Sequence, residues 1–117
     1  MPTLNNKAII EQAYKGFNDR AVDTVLSVMH PDIHWPKAFE GGYVVGHEAV
    51  REYWTRQWSE INPKVTPVEI VEQPDGKVVV EVDQLVKDLN GIVLFDGKVK
   101  HVYTIDDGLL QHMDIIS

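Results

Sequence analysis

Of the residues able to move a proton, His101 has the most unusual setting. It lies in Val99-Lys100-His101-Val102-Tyr103-Thr104-Ile105, and the strand face it shares with Val99, Tyr103 and Ile105 is otherwise apolar. An imidazole there is either a core histidine bonded to a neighbour or a ligand-contacting group fit for general acid/base catalysis. Its cross-strand partner depends on the next turn. If Asp107-Gly108 is a two-residue type I′ turn, Asp106 opposes Leu109, His101 opposes Asp114, and Tyr103 opposes His112. Such partners share a face about 5 Å apart, which would make a His–Asp dyad with the carboxylate fixing the tautomer. If Asp106-Asp107-Gly108 is a three-residue loop, His101 faces Met113 and Asp114 turns to the other face.

Gln84 is the one polar member of the face Val78, Val80, Val82, Val86. A buried amide must be paired, so it holds His101, a ligand group or a structural partner. Trp35, Tyr53, Trp54 and Trp58 either pack as core or line the mouth of an aromatic pocket. The five histidines lack metal-ligand spacing, and His30 and His34 are separated by Pro31. No metal is expected. There is no cysteine, so no thiolate zinc site, cysteine nucleophile or disulfide framework arises. Gly41-Gly42 and Gly46 lack the strand-to-helix context of a phosphate loop, and no Gly-x-Ser-x-Gly elbow occurs. The chemistry left to an enzyme here is acid/base catalysis without a cofactor.

The elements that must position these groups fit one domain over residues 1–117. A chain of this length buries roughly two-thirds of its unfolded surface. The net charge of −7, with scattered lysines and arginines, opposes nucleic-acid binding. No apolar run is long enough to span a membrane, and the first residues lack a signal-peptide pattern. A cytoplasmic protein with no nucleic-acid or membrane partner is expected.

Ile10, Ala13, Tyr14 and Phe17 predict a helix over 4–17, capped by Thr3 or Asn5. A second helix over about 20–29 stops at Pro31, and Ile33-His34-Trp35 make a short strand. Residues 37 to 46 form a loop or short hairpin with Gly41, Gly42 and Gly46. A third helix runs from His47 to Ile61 with Val50, Tyr53, Trp54, Gln57 and Trp58 in one stripe; Pro63 and Pro67 close the helical part. Strands follow over Val68–Glu72, Lys77–Asp88, Ile92–Ile105 (bulged near Asp96-Gly97) and Leu109–Ile116. Helices first and a long antiparallel meander second is α+β, with a strongly curved sheet whose concave face the helices close into a cone-shaped pocket.

This order, with Tyr14-x-x-Phe17-Asn18 before Asp23, resembles the nuclear-transport-factor-2-like superfamily in its SnoaL-like and ketosteroid-isomerase-like branch. The resemblance also rests on Met29-His30-Pro31-Asp32-Ile33-His34-Trp35, Gly46-His47-Glu48-Ala49-Val50-Arg51-Glu52-Tyr53-Trp54, His101-Val102-Tyr103 and Asp107-Gly108-Leu109-Leu110. It implies a pocket for a small apolar organic ligand and a homodimer through the outer sheet face. Ketosteroid isomerases need an Asp base on the strand after helix two, and a Tyr and a protonated Asp as oxyanion donors. Tyr14 sits in the matching helix. The base position falls near Trp35 to Lys37, without a carboxylate, and the donor position falls on Lys100 or His101. The resemblance therefore implies something other than a true steroid isomerase. It places His101 at a pocket position, which favours the three-residue-loop register. Catalytic use would be isomerisation, cyclisation or dehydration, with His101 titrating, Asp114 its partner only in the two-residue register, and Tyr14, Tyr103 and Gln84 orienting substrate. The rival is a non-catalytic binding or dimeric interaction module.

Overall fold

Ile9, Ile10, Ala13 and Tyr14 recur at helical spacing, and all four are buried on one side of α1 (Asn6–Asn18). The computed structural model describes residues 6–37 and 41–116; the expected caps Thr3 and Asn5 lie outside them. After α1 come α2 (Val22–Leu26), β1 (Met29–Pro36), β2 (Tyr43–Val45), α3 (His47–Glu60), β3 (Ile61–Glu72), β4 (Val78–Asp88), β5 (Val93–Asp106) and β6 (Leu109–Ile116). The strands form one curved, open sheet in the order β2-β1-β6-β5-β4-β3. The fold is α+β, with the helices at the N-terminal side over the concave face. No helix among the described residues is long and apolar enough to cross a membrane.

Tertiary pairing shifts three expected boundaries. The second helix is a single short turn, because the Leu110 N–H donates to the Val28 carbonyl at 2.9 Å and Met29 pairs in parallel with Leu110. The sheet claims this backbone, so Pro31 lies inside β1 rather than ending a helix. It falls where the β1–β6 register is irregular, between Met29 and His34, so its missing N–H costs no ladder bond. Likewise β3 begins at Ile61 and runs through Pro63 and Pro67, which an edge strand tolerates. The Asn18 side chain pairs with this strand, donating to the Val65 carbonyl at 2.6 Å and accepting from its N–H at 2.9 Å.

The bulge expected at Asp96-Gly97 is instead at Leu94, skipped between the pairs Val86–Phe95 and Lys87–Val93. Val68 is likewise skipped in β3 and Gln111 in β6. Each such extra residue bends and twists its strand. On the concave side Val78, Val80, Val82, Tyr103, Leu110 and Met113 are buried against Ile10, Val50 and Trp54.

The last hairpin follows neither expected register. Asp107 (φ 53°) and Gly108 (φ 74°) form the two-residue turn, and Asp106 opposes Leu109. Gln111 then inserts one residue, so Tyr103 opposes Met113, His101 opposes Ile115 and Asp114 opposes Val102. The turn is that of the first register and the facing that of the second. Asp114 thus lies on the opposite face from His101, and the proposed His101–Asp114 dyad does not form.

Candidate functional site

Strand alternation carries His101 to the inside of the cone, where it is 5% exposed. Its Nδ1 is 2.6 Å from the Tyr14 hydroxyl, contributed by α1 across 87 positions of sequence. The Tyr103 hydroxyl donates to Tyr14 at 3.0 Å. With Tyr103 donating to it, Tyr14 has its own proton available for Nδ1, an arrangement that assigns the Nε2–H tautomer to the imidazole. Tyr14 lies nearly parallel to the imidazole, with ring centroids 5.8 Å apart, and Tyr103 meets Tyr14 edge-on. Burial lowers the His101 pKa from 6.5 to about 4, because desolvation penalises the charged ring. Burial also raises both tyrosine pKa values; Tyr103 raises that of Tyr14 further, while the bond to Tyr14 pulls Tyr103 the other way. At neutral pH the triad is an uncharged relay that leaves one imidazole N–H on the side away from Tyr14.

His101 borders two narrow inner spaces. One, of about 30 Å³, is also walled by Tyr14, Trp35, Trp54 and Tyr103. The other, of about 50 Å³, is walled by Trp35, Tyr53, Gln84, Met113 and Ile115. Gln84 and Ile115 also wall a wider mouth cavity of about 430 Å³, with Lys37, Tyr43, Phe95 and Asp114 around it. That is ample for a small organic molecule, whereas the inner spaces take one or two waters or a ligand's projecting atom.

Of the expected pocket residues, Tyr14, Trp35, Tyr53, Trp54, Gln84, Tyr103 and Met113 all border these spaces. Trp54 is 0% exposed and packs edge-on against Trp35 and Phe17. Its Nε1–H is buried without an acceptor, as is that of Trp58. Trp58 borders none of these three spaces; it packs on Phe17 beneath the Arg20 guanidinium, 5.1 Å from the ring centroid. Arg20 is held there by bonds to Asn62 Oδ1 and to the Pro63 and Phe17 carbonyls.

Asp114 makes a second group at the mouth. It accepts a short hydrogen bond from the Tyr43 hydroxyl, and His112 Nε2 lies 3.3 Å away. The Tyr43 bond is the main reason its pKa is lowered; slight burial opposes this and His112 adds to it. His34 stacks on His112 with centroids 5.5 Å apart. Among the described residues no three histidine, aspartate or glutamate side chains are grouped to hold a metal.

Sequence reasoning missed Phe95, Tyr43, Lys37 and Ile115. Phe95 had a signal, since it falls on the same alternation as Val99 and His101. For Tyr43 the sequence offered only the short hairpin over 37–46; nothing local places its side chain beside Asp114 of β6.

The sequence profile of the SnoaL-like domain matches residues 10–113. No curated protein matches the chain. Among solved structures, TerC co-crystallised with polyporic acid is 31% identical, with a TM-score of 0.83 over 95% of this chain and 89% of that one. A candidate polyketide cyclase from Xanthomonas campestris is 15% identical, with a TM-score of 0.80 over 93% of this chain and 87% of that one. A ketosteroid-isomerase-like protein from Catenulispora acidiphila, in complex with trimethylamine, is 12% identical, with a TM-score of 0.82 over 97% and 87%. The last two share the fold. The profile match over most of the length shows that this chain belongs to the SnoaL-like domain family, on the nuclear-transport-factor-2-like fold.

Proposed function

We propose that the chain binds a small, largely apolar organic molecule in the cone and carries out cofactor-free proton transfer on it: isomerisation, cyclisation or dehydration. The observation that carries this reading is the buried, neutral His101, held through Nδ1 by Tyr14 at the inner end of a cavity system. Its Nε2–H polarises a substrate carbonyl or hydroxyl oxygen, as a neutral electrophile does. The adjacent C–H is thereby acidified. Asp114, which opposes Val102 on the outer sheet face and is held there by Tyr43, is not placed to take this proton; water in the mouth cavity takes it and returns it to the product. Gln84, between mouth and throat, orients the substrate's second polar group.

Polyporic acid, present with the 31% identical TerC, is the first probe. His101→Phe should lower turnover by about 10²–10³-fold, the usual cost of one oxyanion donor. His101→Gln, which keeps an N–H, should recover part of it. Binding unchanged in both variants, with no turnover by the wild type on any ketone or hydroxyquinone tried, would leave a non-catalytic binder.

We further propose a homodimer through the outer sheet face. There Val79 opposes Val102, and Glu81 and Asp83 oppose Lys100 and Lys98. A mixed-sign stripe around an apolar centre can complement itself under a two-fold axis. Light scattering should give about twice the chain mass of 13.3 kDa; a monomer at micromolar concentration overturns this assembly.

A further inference from the structure

We propose that Phe95 is a specificity-determining partition that sets the length of ligand the cone accepts, a statement that rests on the pocket reading above. A second cavity, of about 240 Å³, lies between the end of α3 and the β4–β5 hairpin, bordered by Tyr53, Gln57, Val86 and Leu94. Phe95 walls both this chamber and the mouth cavity of about 430 Å³. Tyr53 and Gln57 in turn reach the throat beside His101. The two chambers therefore flank one aromatic side chain, and each shares wall residues with the inner space beside His101.

Two features hold the ring there. The bulge at Leu94 resets the alternation just before Phe95 and pairs Phe95 with Val86, on the concave face. Two residues on, Gly97 pairs regularly with Gln84 and has no left-handed φ. Its backbone does not require glycine, and a glycine inside a strand weakens it. What the missing Cβ provides is a seat: a Cβ built on Gly97 would lie 3.2 Å from Phe95 Cζ. A ring 39% exposed adds little to the core, yet the strand keeps a glycine beneath it. Phe95 seated on Gly97 confines the ligand to the mouth chamber, and its removal joins the two.

The test uses two ketones that differ by one phenyl ring, 4-acetylbiphenyl and 4-acetyl-p-terphenyl, titrated into the full chain with tryptophan fluorescence as the readout. The wild type should prefer the biphenyl. Phe95→Ala should move the affinity ratio toward the terphenyl by about tenfold, in the range that pocket-size changes give. Leu94→Ala, which alters only the second chamber's wall, should leave the ratio in place, and Phe95→Leu should fall between. An unchanged ratio in Phe95→Ala, or an equal shift in Leu94→Ala, overturns the partition while the pocket stands. Failure of the wild type and of every variant to bind either ketone overturns the pocket and the partition together. Circular dichroism confirms that each variant is folded.

Discussion

Lowering the pH from 7 to 4 should remove about 3 kcal/mol of folding stability through His101 alone. The buried ring has its pKa lowered from 6.5 to about 4. Between these values the unfolded chain takes up a proton that the native state refuses. The depressed native pKa thus contributes stability that is complete above about pH 6.5 and lost as the pH falls toward 4. A difference of about 2.5 units at ~1.36 kcal/mol each gives the figure. Urea unfolding at pH 7 and pH 4.5 should differ by most of this amount in the wild type, and by much less in His101→Gln. Carboxylates contribute to both slopes and cancel in the comparison. Equal slopes in the two proteins would place His101 outside the core. An independent reading is the His101 ring proton resonance, which should stay fixed between pH 7.5 and 5. The same titration bounds the chemistry: a donor that remains neutral gives a rate without a His101 break through the neutral range, falling only near pH 4.

The second large effect is at Trp54. Trp54→Ala should cost roughly 3–5 kcal/mol, because the side chain is wholly buried and packs on Phe17, Trp35 and Trp58. Trp54→Phe should cost well under half of that. Phenylalanine keeps much of the ring and removes an indole N–H that is buried without an acceptor, a group whose desolvation costs about 1–3 kcal/mol. Chemical denaturation of both variants measures the difference. Comparable losses in the two would mean that the N–H is satisfied, by a water or a ligand atom in the small space it borders. Trp54 is thus core first and pocket wall second.

Much of the fold was legible. Helical spacing located the faces of α1 and α3, because one buried stripe per helix leaves a periodic trace. Alternation likewise identified the concave face of β4 and the inward placement of His101 and Tyr103. The prolines misled for a specific reason: Pro31, Pro63 and Pro67 read as helix stops but sit where no ladder bond is needed, at an irregular register or on an edge strand. Pairing of Val28 and Met29 with β6 also overrode the helical pattern that had extended α2.

The amino-acid sequence by itself determined the order of most elements, an imidazole on an apolar strand face, and the lack of a carboxylate near Trp35 to Lys37, where the family resemblance places a steroid isomerase's base. Each follows from periodicity or residue identity, which are local. Only the tertiary structure decided what His101 touches. The residue skipped at Gln111 reverses which side of β6 faces in, yet alternation continues on either side of it, so the pattern cannot say where the skip occurs. Its position is set by β1, which pairs with Leu110 on one side of Gln111 and with His112 on the other. That choice removed Asp114 from His101 and gave it to Tyr43 and His112. It left His101 to Tyr14, a partner from the other end of the chain that only the closure of helix over sheet brings within hydrogen-bond reach.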